Sequence, residues 1–435
     1  MKKKSMRGLA LTLIATTALS TGAIPAVWTS LQSSAKEGKV LEEGATLTVT
    51  EMEETVENTP VAETENTEKT EKTPALAPVQ QTTGNIPTVT ASPLAEVVNL
   101  LEGGIYETAA NYSKGVAQNY YTGGDCFAPV NVEMRWTAEE GAQYYTVKLG
   151  MDKALTNATT YVTLDASLSI PDLFMGEQYY YQIIVRYADK TVKSRIFEFQ
   201  TAHLPRTIAL EGVSNTRDAG GYYTVDGQYR IRQGMVYRGG KLEGISAAAK
   251  EKALKVYGFK TDLDLRAEAT VSPLGNKVNF VNVSGPYYAG SGTTGTGINS
   301  FDDSSKGPWK GTYREALLEE IRTFAKPENY PIYVHCSLGR DRTGTIVFLI
   351  NALCGVGEMD LFMDYELSFF SEVGCADNQT PAYMVGTPFT SLYNYIKNYG
   401  KGTLQENTEK FMLDIGISQE DIDSIRNILL EEVRK

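Results

Sequence analysis

The segment Pro331–Thr345 (PIYVHCSLGRDRTGT) constrains the fold of this chain more than any other stretch of its sequence. Residues 332–334 are β-branched or aromatic and follow a proline, which is typical of a short buried strand. Residues 345–353 are almost continuously apolar, as in a buried helix. The segment Cys336–Arg342 is therefore predicted to form a loop between the carboxyl end of a strand and a helix N-terminus. Backbone N–H groups converge in such a loop, and the helix dipole favours an anion there.

Two side chains of this loop have the chemistry that a phosphate site requires. A thiolate on Cys336 would be stabilised by the converging N–H groups, and the thiolate is the nucleophilic form of cysteine. Arg342 can return to the same anion with a planar, bidentate guanidinium. Phosphoryl transfer depends mainly on positioning and charge stabilisation, so the pattern predicts this chemistry without a metal.

The other cysteines carry no comparable pattern. Cys354 lies in the apolar helix and is expected to be an ordinary buried thiol. Cys126 and Cys375 have no motif around them, and a disulfide between them is left open. Four cysteines in 435 residues do not make a disulfide framework.

Composition excludes several other classes of function. The chain has two histidines, His203 and His335, far apart in sequence, which rules out paired-histidine zinc sites. Its formal net charge of −12 argues against a nucleic-acid partner. We therefore expect no metal and no other cofactor.

The first residues, 1–35, are typical of a signal peptide. Lysines and an arginine precede an apolar run from Leu9 to about Leu19, and small residues offer cleavage after Ala26 or Ala35. An uncleaved anchor is the alternative, but the run is shorter than the ~18 residues of a spanning helix. The mature protein is expected to be secreted or associated with the cell surface.

The next segment, 36–93, is predicted to be a disordered acidic linker. It is rich in Thr and Glu and carries no aromatic residue. Such a stretch cannot bury enough apolar surface to offset its ordering entropy. Residues 94–123 are assigned as a connecting segment.

Residues 124–203 alternate in a way that predicts a small all-β sandwich. Apolar residues recur with a period of two over 130–136, 145–149 and 179–187, and turn residues separate these runs. The tyrosines are expected to face the core rather than a ligand. With Phe197-Glu-Phe-Gln-Thr201 closing the series, the order of motifs resembles a fibronectin type III module. We expect it to act in spacing or docking to a surface or partner.

The remainder, 204–435, resembles the cysteine-dependent protein tyrosine phosphatase family, in particular a bacterial branch with the loop His-Cys-x-x-Gly-Lys-Asp-Arg-Thr-Gly. Further motifs agree in order: Asn215-Thr-Arg-Asp-Ala-Gly-Gly221, Val236-Tyr-Arg-Gly-Gly-Lys-Leu242, Thr261-Asp-Leu-Asp-Leu-Arg266, Asp364-Tyr-Glu-Leu-Ser368 and Ile415-Gly-Ile-Ser-Gln-Glu-Asp421. The resemblance implies an α/β catalytic domain whose sheet is flanked by helices.

The resemblance also implies roles for individual residues. Cys336 would be the nucleophile, Arg342 would bind the phosphoryl oxygens, and Thr343 would hydrogen-bond the thiolate. His335 would support the loop from behind. The phosphate would be held by the loop residues Ser337, Leu338, Gly339, Arg340, Asp341 and Arg342. Arg217 and Asp218 are interpreted as a structural ion pair or turn.

Four aspartates are candidates for the general acid. The resemblance favours Asp341, which precedes the catalytic arginine, while Asp264, Asp302 and Asp303 are the alternatives. Arg340 replaces the lysine usual in this branch, which keeps the charge but changes the geometry. The Gly-rich insert from Gly285 to Gly311 is either a flap over the site or a surface loop.

The predicted function is a secreted phosphatase acting on phosphotyrosine in proteins, with phosphoserine, phosphothreonine or phosphoinositides as additional substrates. One alternative is a phytase-like inositol-polyphosphate phosphatase, for which Lys306, Lys310 and Arg314 could supply a basic pocket. A second is a non-catalytic surface-binding module. We expect a monomer.

Overall fold

A computed structural model describes residues 13–14, 89–121, 129–266, 269–289, 297–298, 310–371 and 379–433. Nearly all of the predicted signal peptide and acidic linker lie outside these ranges. So do several individual residues of interest, namely Cys126, Cys375, Asp302, Asp303 and Lys306.

The strands of the N-terminal half form an all-β region made of two sheets. Its strands are β1 (Leu13–Ile14), β2 (Val97–Val98), β3 (Val132–Arg135), β4 (Tyr144–Gly150), β5 (Thr159–Thr163), β6 (Ser167–Ile170), β7 (Gln178–Arg186), β8 (Thr191–Lys193) and β9 (Phe197–Thr201). One sheet has the order β1-β5-β4-β7-β9-β2 with β8 beside β7, and the other pairs β3 with β6. All pairs are antiparallel except β2 with β9.

One hydrophobic core joins these two sheets. Trp136, next to β3, packs edge-on against Tyr145 of β4, with ring centroids 5.3 Å apart. Tyr179 and Tyr181 are also buried in this core, so the prediction that the tyrosines face inward is confirmed for them. The alternation predicted for 130–136 is present too, since every second residue of β3 is buried.

The C-terminal half is a mixed α/β region. Its strands are β10 (Arg217–Asp218), β11 (Tyr229–Ile231), β12 (Val236–Gly239), β13 (Thr261–Asp264), β14 (Asn279–Asn282), β15 (Ile332–His335) and β16 (Leu430–Glu432). The main sheet has the order β10-β12-β15-β13-β14, parallel except for β10, and β11 pairs separately with β16. The expected α/β class is thus confirmed for this half.

Ten α-helices lie in the described residues. They are α1 (Gly103–Ala110), α2 (Ala117–Tyr120), α3 (Ala247–Lys255), α4 (Lys310–Phe324), α5 (Asp341–Leu353), α6 (Glu358–Glu366), α7 (Pro381–Met384), α8 (Thr390–Lys397), α9 (Leu404–Ile415) and α10 (Gln419–Leu429). Short 3₁₀ turns cover Pro327–Asn329 and Leu367–Phe370, and a π turn covers Val385–Phe389.

Strand β15 lies at the centre of the main sheet, and both of its faces are covered. Ile332 and Val334 join one core, which includes α5, while Tyr333 joins a second core on the opposite face. Side chains alternate between the faces of a strand, so this division explains why the whole of β15 is buried. The sheet therefore has hydrophobic packing on both sides.

The structure differs from the sequence predictions in two places. The buried helix begins at Asp341, so the loop before it is two residues shorter than predicted. The connecting segment contains β2, α1 and α2, and both helices contribute residues to the α/β core.

No helix within the described ranges is long and apolar enough to cross a membrane.

Candidate active site

The loop after β15 is held close against the end of β12. Its Gly339 has a left-handed φ of +70°, and an added Cβ would lie 2.2 Å from the carbonyl oxygen of Gly239. Only glycine fits both the backbone conformation and this close approach. Cys336 opens the loop and is 3% exposed.

The carbonyl groups of the loop are bound from behind. Asn215 Nδ2 donates to the carbonyl of Leu338 at 2.9 Å, and Arg238 Nη2 donates to that of Gly339 at 2.8 Å. In each peptide plane the N–H of the next residue points opposite to the C=O, so these contacts direct the N–H groups of Gly339 and Arg340 away from Asn215 and Arg238. The N–H groups of Ser337, Leu338 and Gly339 donate to no other group in the described part of the chain.

A buried ion network fixes these supports. Asp364 of α6 accepts from Arg217 Nε at 3.0 Å and from Arg238 Nη1. Burial alone would raise the pKa of Asp364, but the charges of Arg238 and Arg217 hold it below its usual range. Arg217 also donates to Asn215 Oδ1 at 2.6 Å, so three of the quoted motifs meet behind the loop.

The structural role predicted for Arg217 and Asp218 holds, but they do not pair with each other. Asp218 forms its ion pair with Arg206 at 2.7 Å and also accepts from the backbone N–H of Gly220 and Gly234. The side chains of Arg217 and Asp218 reach different partners because neighbouring residues of a strand face opposite sides of the sheet.

His335 has a partner that the sequence did not reveal. Its Nε2 lies 2.8 Å from Asp262 Oδ1, and both side chains are buried. Ser272 Oγ donates to the other oxygen of this carboxylate at 2.6 Å. Strands β13 and β15 pair in parallel, a register that a single sequence does not specify. The arrangement agrees with a supporting role for His335.

Two buried polar atoms beside the loop, one on Arg342 and one on Thr343, have no hydrogen-bond partner among the described residues. Arg342 donates from Nη1 to the carbonyl of Leu265 at 3.0 Å, and its Cζ lies 4.9 Å from the ring centroid of Tyr287. Its Nε is buried without a hydrogen-bond partner among the described residues, and the same is true of Thr343 Oγ1. Buried donors are normally satisfied, so this pair marks a place that can receive acceptors.

The two described candidates for the general acid have different surroundings. Asp341 Oδ1 accepts from Arg340 Nε at 2.7 Å and from the hydroxyl of Tyr288. Asp264 is 1% exposed and is held by Arg266 through two bonds of 2.8 and 2.7 Å. Although burial alone would raise the pKa of Asp264, the hydrogen bonds from Arg266 lower it.

Glu320 of α4 is a buried carboxyl group that no sequence motif indicates. Its Oε1 has no hydrogen-bond partner within the described residues. Burial raises the pKa of this carboxyl group well above its usual value, although the nearby charge of Arg342 lowers it. Nothing in its sequence surroundings distinguishes it from the exposed glutamates of the same helix.

The other residues that the sequence suggested for the site lie away from the loop or outside the described ranges. Arg314 donates from Nε and Nη2 to the carbonyl of Ile415, at 3.0 and 2.8 Å, at the end of α9. The side chain of Lys310 and most of the Gly-rich insert are not described. Cys354 is a free, fully buried thiol, as predicted, and burial raises its pKa to about 12.

Comparison with known proteins agrees with this geometry. Residues 208–431, more than half of the chain, match the model of the tyrosine phosphatase family. A Cupriavidus necator protein named as a tyrosine-protein phosphatase is 29% identical over 173 residues, covering 36% of this chain and 61% of that protein. A Dictyostelium discoideum protein so named is 30% identical over 77 residues, covering 18% of this chain and 46% of its own length.

A Saccharomyces cerevisiae protein named in the same way is 33% identical over 58 residues, which cover 13% of this chain and 24% of that protein. The chain thus spans less than two thirds of the length of each of these three relatives.

Proposed function

We propose that this chain, which belongs to the tyrosine phosphatase family, is an exported phosphatase that hydrolyses phosphotyrosine through a phosphocysteine on Cys336. The observation that carries the proposal is a set of hydrogen-bond donors around the loop that have no acceptor among the described residues. The N–H groups of residues 337–339 and the buried Nε of Arg342 have no partner in the described chain. A phosphoryl group supplies oxygen acceptors for all of them.

The same residues suggest how the reaction proceeds. The Cys336 thiolate attacks phosphorus, the bond to the tyrosine oxygen breaks, and that oxygen takes a proton from Asp341. Water then attacks the phosphocysteine, and Asp341 takes a proton from it. The sulfur leaves as a thiolate that receives a hydrogen bond from Thr343, and inorganic phosphate is released. The loop amides and Arg342 stabilise the charge throughout.

Substrates other than phosphotyrosine remain secondary candidates. Phosphoserine, phosphothreonine and phosphoinositides would use the same thiolate chemistry. For the phytase-like alternative, Arg314 offers no support because its guanidinium is directed to the carbonyl of Ile415. Relatives named as tyrosine-protein phosphatases favour phosphotyrosine.

The proposal extends to the rest of the chain. The N-terminal residues would direct export, and the acidic segment would act as a spacer. We assign the all-β region to the fibronectin type III type, because its two sheets, antiparallel except for the pair β2 with β9, share one core in the order expected from the motifs. Its role would be docking to a surface or partner.

The test is phosphate release by the purified protein in the presence of EDTA, compared between Cys336→Ser and Cys354→Ala. The panel holds a phosphotyrosine peptide, a phosphoserine peptide, phosphatidylinositol phosphates and phytate. We expect the wild type to act fastest on the phosphotyrosine peptide, Cys336→Ser to fall to background, and Cys354→Ala to stay active.

The matched control separates loss of the nucleophile from loss of a buried thiol, since both cysteines are at most 3% exposed. No release from any substrate by a folded wild-type protein would refute the enzyme and leave the non-catalytic binding module. Release that persists in Cys336→Ser would refute the phosphocysteine mechanism.

A further inference from the structure

A cluster of tyrosines contacts the side chain that we assign as the general acid. The hydroxyl of Tyr288 donates to Asp341 Oδ1, and it lies 2.5 Å from the hydroxyl of Tyr365. The two rings meet edge-on with centroids 6.1 Å apart. None of the motifs considered in the sequence contains Tyr288, and the established family membership assigns it no role.

Tyr288 is tied to the start of α5 by its backbone as well as by its hydroxyl. Its N–H donates to Thr345 Oγ1 at 2.8 Å, and that hydroxyl in turn donates to the carbonyl of Asp341 at 3.0 Å. Tyr288 has a left-handed φ of +40°, which is unfavourable for a residue with a bulky side chain. Such conformations persist only where the surroundings enforce them, and they cluster at functional sites.

The contacts leave the two oxygens of Asp341 unequal. Oδ1 accepts from both Tyr288 and Arg340 Nε, whereas Oδ2 accepts from Arg340 Nη2 at 3.2 Å. An ionised carboxylate can accept about four hydrogen bonds. Oδ2 therefore has the greater capacity to hold the proton that is transferred, and the side chain is 17% exposed.

We propose that Tyr288 is a positioning residue that fixes Asp341 through Oδ1, so that Oδ2 faces the oxygen of the leaving group. This inference rests on the proposed phosphatase function. When the P–O bond breaks, the leaving oxygen keeps the bonding electron pair and takes the proton from Oδ2. The carboxylate that remains is stabilised by the bonds from Tyr288 and Arg340.

The dependence of rate on the leaving group tests this assignment. A good leaving group departs without a proton, whereas a poor one needs the acid. We would measure kcat/KM for 2,4-dinitrophenyl, 4-nitrophenyl and unsubstituted phenyl phosphate. In Tyr288→Phe, we expect about a tenfold loss for phenyl phosphate and less than about a twofold change for dinitrophenyl phosphate.

Two further variants test whether Tyr288 acts on the rate through Asp341. Asp341→Asn should lose about a hundredfold or more on phenyl phosphate. The double variant Tyr288→Phe/Asp341→Asn should equal Asp341→Asn, because residues that act through one another are not additive. Tyr145→Phe, which removes a buried hydroxyl from the all-β core, is the matched control and should behave as wild type.

The outcomes separate the two proposals. If the wild type hydrolyses none of the three aryl phosphates, the proposed function fails. If it is active but Tyr288→Phe keeps the wild-type leaving-group dependence, the function stands and the role of Tyr288 is refuted. An equal loss on all three substrates, or additivity with Asp341→Asn, would also refute it in favour of a general structural role.

Should Tyr288→Phe fail to fold, Tyr365→Phe provides a second measurement. That change removes the hydroxyl contact to Tyr288 and leaves the bond to Asp341 in place. We expect a selective loss on phenyl phosphate that is smaller than the tenfold loss in Tyr288→Phe. An unselective loss, or none, would count against the inference.

Discussion

Behind the loop at residues 336–340, the guanidinium groups of Arg217 and Arg238 share the carboxylate of Asp364, and all three side chains are almost fully buried. Burial and the charge of Arg238 lower the pKa of Arg217 to about 10. The excess positive charge is tolerated because neutral acceptors, including the carbonyl of Gly339, share the donors. Asp364 therefore keeps the network charged and the loop in shape.

Replacing this carboxylate should damage both stability and anion binding. In Asp364→Asn two buried cations lose their counter-ion, and removal of one partner of a buried pair costs about 3–5 kcal/mol. We expect a loss of that order in urea unfolding, together with weaker binding of inorganic phosphate. Asp189→Asn, an exposed turn residue, is the control. An unchanged unfolding midpoint in Asp364→Asn would contradict this account.

The carboxylate of Asp364 should also make the stability of the protein depend on pH. Its pKa is lower in the folded protein than in the unfolded chain, so its stabilisation is present above the unfolded value of about 4. That contribution is lost as the pH falls through the folded pKa. The free energy of unfolding should therefore decrease below about pH 4, and the decrease should be smaller in Asp364→Asn.

At the scale of elements, the sequence pattern predicted the strands and helices whose burial leaves a clear apolar pattern along the chain. Strand β15 and helix α5 were found because their residues are almost all buried, which leaves long apolar runs. Strand β5 was missed because all its residues are half-buried, so it shows no alternation. The pair of His335 with Asp262 depends on strand register, and the burial of Glu320 depends on tertiary packing, so neither could be predicted.

The packing of helices α1 and α2 on the α/β half could not be predicted from the sequence either, because it depends on a side chain that is distant along the chain. Glu366 of α6 accepts from the N–H of Gly115 at 2.5 Å, from that of Ala117 at 2.8 Å and from the hydroxyl of Tyr112 at 2.9 Å. Both oxygens of Glu366 thus bind backbone donors. Nothing in residues 94–123 indicates this partner.

These contacts predict an order of stability among three variants. Glu366→Gln turns one acceptor into a donor that faces a backbone N–H, which should cost about 2–3 kcal/mol. Tyr112→Phe removes one hydrogen bond and should cost about 1 kcal/mol. Tyr106→Phe, on the neighbouring helix α1, should have no effect. Urea unfolding measures the order, and a larger effect of Tyr112→Phe than of Glu366→Gln would overturn it.

At the scale of the whole molecule, the turn at residues 172–177 packs the all-β region against the α/β half. Met175 of this turn is 1% exposed and belongs to the α/β core, where it lies against Gly221. Gln233 makes two hydrogen bonds to the backbone of Met175, at 2.8 and 2.9 Å. Asp172 accepts from the hydroxyl of Tyr257 at 2.8 Å. The halves should therefore unfold together.

Truncation of Met175 tests this coupling. A buried Met→Ala change costs about 2–5 kcal/mol, and the cavity here would lie between the two halves. We expect Met175→Ala to lower the urea midpoints of phosphatase activity and of circular dichroism by the same amount. Met151→Ala, a residue of the all-β region that is 45% exposed, should change neither midpoint. If activity were lost at a lower urea concentration than the β-sheet signal, the two halves would be independent units, because a shared core forces one cooperative transition.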